Sequence, residues 1–200
     1  MRRAAARTLI PLLLAGILAG PAAGIRRQPH VKPKAAISPI RWALQSLNFV
    51  ETRSQGVLGH AAGVCMRAQA TQRPEDWQKV EAETRTLRDY LLAADPARMN
   101  LIVQSRAASR LLRPFVLRAR RAHLAQAKAQ FLGAAMEYGA SFAAVRDGAT
   151  ALEARNCTDA KDAFTDSAMS EVAGQDEARQ GLIELRSAGF AFVSPDWAYE

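Results

Sequence analysis

Apolar residues recur at spacings of three and four over most of this 200-residue chain, and this pattern constrains its fold more than any other feature. Alanine, leucine, arginine, glutamate and glutamine are abundant, whereas alternating runs of β-branched residues are nearly absent. Good helix formers with a period near 3.6 are typical of amphipathic helices, and strands require alternation. The sequence therefore predicts an all-α fold, an antiparallel bundle of four to five helices without strands.

Prolines and capping residues indicate where the helices begin and end. Ser38 followed by Pro39 is typical of an N-cap and a first helical residue. A second helix is expected to begin near Pro74 and to end by Asp95, because Pro96 disfavours a helical conformation before it. Pro96 then opens a third helix. The last helix is expected to begin at Asn156 or Thr158 and to stop at Gly189, with Gly174 as a point of interruption.

The third helix is expected to run from Pro96 toward Arg146, through an arginine-rich segment from Arg110 to His123. About 50 unbroken residues would form a helix ~75 Å long, which is too long for a domain of this size. Pro114 and three later glycines are the places where the helix can bend or break. The residues before Pro114 are poor N-caps, so we expect a kink there rather than the start of a new helix.

The first 24 residues have the pattern of a secretory signal peptide. A positively charged start with three arginines is followed by a short apolar run and by small residues before a cleavage site. The apolar run is shorter than the roughly 20 residues that span a bilayer, so an uncleaved anchor is the less favoured alternative. We expect a periplasmic or secreted protein with four segments: a signal peptide at 1–24, a basic proline-containing tether at 25–37, a helical bundle at 38–190 and an aromatic tail at 191–200.

Two cysteines, Cys65 and Cys157, allow one intramolecular disulfide. In an exported chain such a pair favours a disulfide over two buried free thiols. Cys65 shares the apolar arc of the first helix with Ile40 and Leu44, and Cys157 begins the last helix. The bond would therefore tie the first helix to the last. Glu51 lies in the same apolar arc, and the helical pattern does not account for this acidic residue.

The net charge of +8 comes from the N-terminal region. The first 24 residues hold three basic residues, five more precede the first acid, Glu51, and from residue 42 onward 19 basic and 19 acidic residues balance. A neutral folded part does not favour a nucleic-acid partner. No nucleic-acid binding is expected.

One helical face in the arginine-rich region is the strongest candidate binding surface. At 100° per residue an arc about 100° wide, which excludes Arg118, contains six cationic residues. They are Arg106, Arg110, Arg113, Arg120, Arg121 and Lys128. Because guanidinium groups bind phosphates and carboxylates, this face is a candidate for an anionic surface such as lipid head groups, or for an acidic protein.

The arginines also have a candidate partner inside the chain. Residues 151–200 carry ten acidic and four basic side chains, and Asp159, Asp162 and Asp166 recur along one side of the last helix. Neighbouring helices could thus neutralise each other, and this internal neutralisation, or plain solvation of the arginines, is favoured over binding of an external anion. Exposed ion pairs contribute little stability, so they would guide the arrangement of the helices.

Signatures of metal binding and catalysis are not found in the sequence. The three histidines occur singly, no Cys or His pair has a ligand spacing, and there is no CxxCH, GxSxG, Glu-x-x-His or glycine-rich phosphate loop. We expect no metal and no cofactor. A non-enzymatic binding or envelope-associated role is favoured, with an unidentified protein or an anionic surface as partner and with membrane association only peripheral or through an uncleaved signal.

Two alternatives from other classes stay open. One is an enzyme that acts on a small anionic metabolite through inward-facing Arg106, Arg110 and Arg113 together with Glu137. The other is a helical carrier of a hydrophobic or haem ligand. The carrier would need a cavity lined by aromatic residues and by methionines, although methionines more often fill cores. The candidates are Met66, Met99, Met136 and Met169.

Overall fold

The computed structural model describes residues 32–198, where four α-helices form an antiparallel bundle. In chain order they are α1 (Pro33–Thr71), α2 (Pro74–Leu112), α3 (Arg121–Glu153) and α4 (Cys157–Ser187). Short 3-10 turns lie at Arg113–Phe115, Arg118–Arg120 and Pro195–Ala198. No strand occurs between residues 32 and 198, so the predicted all-α bundle is confirmed with four helices. The predicted signal peptide, residues 25–31 of the tether and residues 199–200 of the tail lie outside the described residues.

Each helix packs against the next one along the chain, and α1 also packs against α4, which closes the bundle. Gly148 near the end of α3 lies against Ala163 near the start of α4. Gly181 near the end of α4 lies against Phe131 near the start of α3. These contacts show that α3 and α4 run antiparallel.

The prediction that Pro96 ends the second helix is wrong, because α2 continues through it. The buried residues Leu91, Ala94, Ala97 and Leu101 carry the apolar stripe across this position. Proline removes the hydrogen bond to the carbonyl of Leu92, four residues earlier. Leu92 is exposed, so this carbonyl can be hydrated and the helix tolerates the loss.

The first helix also begins earlier than its predicted cap at Ser38. It begins at Pro33, inside the predicted tether, and Pro39 lies within it. Ala36 and Ile37 are buried and extend the apolar face by one turn, while the Ser38 hydroxyl donates to the Lys34 carbonyl at 2.9 Å. Packing of this additional turn against the core therefore outweighs the local capping preference.

At Pro114 the chain turns, whereas the sequence predicts a kink in a continuous helix. Helix α2 ends at Leu112, and two 3-10 turns lead to α3 at Arg121 without a side-chain cap. Leu112 and Val116 are buried and hold this connection against the core. Burial of these two side chains compensates for the missing cap. Helix α3 then runs unbroken through its three glycines, and α4 likewise through Gly174.

The predicted disulfide between Cys65 and Cys157 is confirmed, with a Cα–Cα distance of 5.4 Å. Both residues are fully buried, and the bond joins α1 to the first residue of α4. The ends of α4 also agree with the prediction. The Asn156 side chain accepts a hydrogen bond from the Asp159 backbone amide, and Gly189 follows the helix with a φ of 117°.

Close approach at Gly148 gives a test of the packing. A β-carbon on Gly148 would lie 2.7 Å from Leu58 Cδ1, and Leu58 is fully buried, whereas a β-carbon on Gly63 would meet no atom within 4 Å. Both Gly148→Ala and Gly63→Ala gain the same helix propensity, about 1 kcal/mol. We expect Gly148→Ala to be less stable than Gly63→Ala by about 1 to 3 kcal/mol in urea unfolding. Equal stabilities would contradict the close packing at Gly148.

Candidate anion-binding surface

The antiparallel topology brings the start of α1, the end of α2, the start of α3 and the end of α4 to one end of the bundle. Ile40, Ser105, Leu124 and Leu185, one from each helix, line the same small cavity near this end. We call this region the basic end, because ten exposed cationic side chains of the described residues lie there. They are Lys32, Lys34, Arg106, Arg110, Arg113, Arg118, Arg120, Arg121, Lys128 and Arg186.

All six cationic residues predicted from the sequence are exposed at the basic end. Within residues 32–198, no ion pair shorter than 4 Å involves any of them. The Arg110 side chain donates only to the backbone carbonyl of Arg106, at 3.4 Å. Their positive charges are therefore not neutralised by direct contact with a described carboxylate.

The turn between α2 and α3 brings Arg113 and Arg121 together. Both residues line a cleft of about 270 Å³, together with Ser109, Leu124 and Ala125. Arg113 lies just after the end of α2, and Arg121 is the first residue of α3. The cleft thus offers two guanidinium groups from different helical ends and one hydroxyl, a set of hydrogen-bond donors that suits phosphate or carboxylate oxygens.

The internal neutralisation favoured by the sequence is not formed. Ala163 of α4 lies against Gly148, which is 27 residues or about 40 Å along α3 from Arg121. The aspartates that were expected to pair with the arginines therefore lie toward the opposite end of the bundle; they are Asp159, Asp162 and Asp166. At the basic end, Glu184 pairs instead with His123, at 2.7 Å.

The basic end carries a strong positive charge, although the folded part of the chain is neutral overall. Residues 96–136, which include the turn and its flanking helix ends, contain eight basic residues and no acidic residue. Arg118, which the helical arc excludes, joins the surface because the chain is not one continuous helix there. Lys32, Lys34 and Arg186 were also missed, because only the topology brings the outer ends of α1 and α4 beside this turn.

The described arginine and methionine side chains that were named for the two alternative functions do not face the interior of the bundle. Arg106, Arg110 and Arg113 are exposed, so these three side chains do not form an inward-facing anion pocket. The four methionines are between 45% and 72% exposed, so they neither fill the core as expected nor line an internal cavity. Within residues 32–198, no group of three His, Cys, Asp or Glu side chains is placed to hold a metal ion.

An open groove of about 930 Å³ lies on the outer side of α1 and α2. Trp42 and Phe49 protrude beside it, and the guanidinium of Arg53 lies over the Phe49 ring, 5.5 Å from the ring centroid. His60 and Glu83 pair across the groove at 3.2 Å. The groove thus mixes aromatic rings with both signs of charge, and it lacks the single-sign field of the basic end.

Glu51 is the main buried polar residue that the helical pattern could not explain. It is fully buried, and its Oε1 accepts hydrogen bonds from Gln55, at 3.0 Å, and from Ser141. The Ser141 hydroxyl also contacts the Ser167 carbonyl oxygen at 3.0 Å. The other carboxyl oxygen of Glu51 has no hydrogen-bond partner. These residues form a polar cluster in the core between α1, α3 and α4.

Burial controls the ionisation of this cluster. It raises the pKa of Glu51 to about 7; the hydrogen bond from Ser141 opposes the shift, and the nearby charge of Glu171 adds to it. Burial also raises the pKa of Glu171 above its ordinary value. A carboxyl group in such a site holds its proton near neutral pH, because desolvation penalises the charged form.

Comparison with protein-family models, with curated proteins and with solved structures found no match for this chain. Among the helices of residues 32–198, none is long and apolar enough to cross a membrane. The fold and the surface define a disulfide-linked four-helix bundle with one strongly basic end.

Proposed function

We propose that this protein is an exported, non-enzymatic binding protein whose basic end binds an anionic surface. The observation that carries the proposal is a set of seven exposed cationic side chains around the α2–α3 turn, without an ion-pair partner among the described residues. They are Arg106, Arg110, Arg113, Arg118, Arg120, Arg121 and Lys128. A surface of this kind is attracted to dense negative charge, such as a layer of phosphate groups.

Export is supported by two independent features. The N-terminal sequence has the charge and length pattern of a signal peptide. The buried disulfide between Cys65 and Cys157 favours an oxidising compartment, because cytosolic thiols are kept reduced. The two together support a periplasmic or secreted location.

The magnitude of the attraction is sufficient for reversible binding. Each Lys or Arg close to an anionic membrane surface contributes about 1 kcal/mol, and the effect decays within about 8 Å at physiological ionic strength. Three or four of these side chains in contact would therefore raise the partition coefficient by roughly two to three orders of magnitude. Such binding is expected to weaken as the salt concentration rises.

A charge-matched pair of triple variants tests the location of the surface. We expect Arg113→Gln/Arg118→Gln/Arg121→Gln to bind vesicles that contain phosphatidylglycerol about 100-fold more weakly at low salt, because three contacts of about 1 kcal/mol are lost. These side chains are exposed and unpaired, so folding should be retained. The measurement is a vesicle sedimentation titration of each protein in 50 mM salt (about 14 Å screening length).

The control removes the same charge from the opposite end of the bundle. Arg67, Arg73 and Arg85 are exposed and lie toward the α1–α2 loop. Changing all three to glutamine should reduce vesicle binding by less than about threefold, because distant charges are screened. Equal losses in both triple variants would show that net charge alone drives binding, and binding that is unaffected by salt would contradict the proposal.

A further inference from the structure

From the exposure pattern of the α2–α3 turn we infer that this turn inserts apolar side chains into the interfacial layer of an anionic phospholipid bilayer. The inference rests on the proposed function and identifies the anionic surface as a phospholipid bilayer. The inserted residues are Leu111, Phe115 and Leu117, which we call the apolar tip. They are 45%, 45% and 69% exposed, respectively.

The turn divides its large apolar residues into two sets. Leu112 and Val116 are 0% and 4% exposed, so they fix the turn to the core. The three residues of the apolar tip alternate with these anchors and remain in contact with solvent. A turn held by two buried anchors presents its tip in a fixed conformation, which reduces the entropy that would be lost on binding.

Charge complementarity identifies the partner as a bilayer. Arg110, Arg113 and Arg118 immediately flank the apolar tip, and no acidic residue occurs between residues 96 and 136. Interfacial segments place cationic groups among the anionic headgroups and apolar groups about 5 to 10 Å deep, at the acyl boundary. Single exposed apolar residues are ordinary, but three of them within seven residues, surrounded by unpaired arginines, match this layered chemistry. A soluble acidic protein would satisfy the arginines without requiring the apolar tip.

A double variant separates the contribution of the apolar tip to binding from that of the charges around it. The double variant Phe115→Ser/Leu117→Asn removes apolar surface and leaves every charge in place. We expect it to bind vesicles of phosphatidylglycerol and phosphatidylcholine about 10- to 100-fold more weakly than the unmodified protein, because the transfer of apolar groups is lost. Some salt-dependent binding should remain, since the arginines are intact. Circular dichroism checks that the variant is folded.

A matched control removes apolar surface elsewhere. Leu92 and Met136 are 78% and 72% exposed and do not belong to the apolar tip. We expect Leu92→Asn/Met136→Ser to change vesicle binding by less than about twofold, because neither residue reaches the bilayer when the tip is inserted.

Insertion is read out directly with Leu117→Trp. Subtracting the spectrum of the unmodified protein isolates the emission of the new tryptophan. This emission should shift to shorter wavelength on vesicles and should be quenched by lipids brominated near the headgroup end of the acyl chain.

Insertion is overturned, and anionic binding retained, if the Phe115→Ser/Leu117→Asn variant binds as tightly as the unmodified protein while the arginine triple variant does not. Both are overturned if the unmodified protein does not bind phosphatidylglycerol vesicles at low salt. Equal affinity for vesicles and soluble polyglutamate, without a wavelength shift, also overturns insertion.

Discussion

The double variant Cys65→Ala/Cys157→Ala is expected to unfold with a free energy about 4 to 5 kcal/mol lower than that of the unmodified protein. The disulfide joins positions 92 residues apart, so its removal returns a large conformational entropy to the unfolded chain. Alanine is chosen because both sites are fully buried, and alanine places no new polar group there. In thermal unfolding the midpoint should fall by roughly 10 to 20 °C.

Reduction gives an independent measurement of the same bond. A thiol reductant should lower the unfolding midpoint of the unmodified protein and leave the double variant unchanged, because the variant has no bond to reduce. Protein purified from an oxidising compartment should show no titratable thiol before reduction. Two free thiols in that material, or an equal effect of the reductant on both proteins, would contradict a structural role for the bond.

The inner faces and several ends of the helices could be predicted because they depend on local sequence. Ile40, Leu44 and Cys65 fall in one arc of α1, and all three are buried. Asn156 and Gly189 bound α4 through their own capping geometry. In each case the decisive interaction lies within a few residues of the signal that predicts it.

The effects of the prolines could not be predicted in the same way. Pro39 and Pro96 lie inside helices, whereas Pro114 lies in a turn where α2 has already ended. A proline removes one hydrogen bond wherever it occurs, and the outcome depends on whether packing across the site compensates for the loss. At Pro96 the buried stripe continues into Ala97 and Leu101, whereas after Pro114 the chain reverses to bury Val116. These are tertiary contacts, which local patterns do not contain.

The candidate site shows the same division between local and tertiary information. All six cationic residues named from the sequence belong to the basic end, because clusters of charge are visible in a linear sequence. Their expected pairing with Asp162 and its neighbours fails, because charge totals for two segments do not say which ends of the helices meet. The antiparallel topology places Asp162 near the end of α3, far from Arg121 at its start.

Glu51 makes the stability of the bundle depend on pH. Its pKa is about 7 in the folded protein, above the 4.5 of an exposed glutamate that represents the unfolded chain. Below pH 4.5 the group is protonated in both states, so burial carries no ionisation penalty. Between pH 4.5 and 7 the unfolded chain ionises while the folded protein keeps its proton, so stability is lost progressively, by about 3 kcal/mol in total. The loss therefore falls between about pH 4.5 and 7.

The variant Glu51→Gln is expected to remove this loss of stability, because the amide resembles the protonated acid and does not ionise. Urea unfolding at several pH values should show that the variant becomes increasingly stable relative to the unmodified protein, by about 3 kcal/mol between pH 4.5 and 8. The change with pH is the readout, since any constant packing effect of the amide cancels.

Glu171→Gln should move the loss of stability to lower pH, because the charge of Glu171 helps to raise the pKa of Glu51. The exposed Glu81, changed to glutamine, controls for the same substitution at the surface. Parallel pH profiles of the unmodified protein and Glu51→Gln would show that the Glu51 carboxyl is not held neutral in the core.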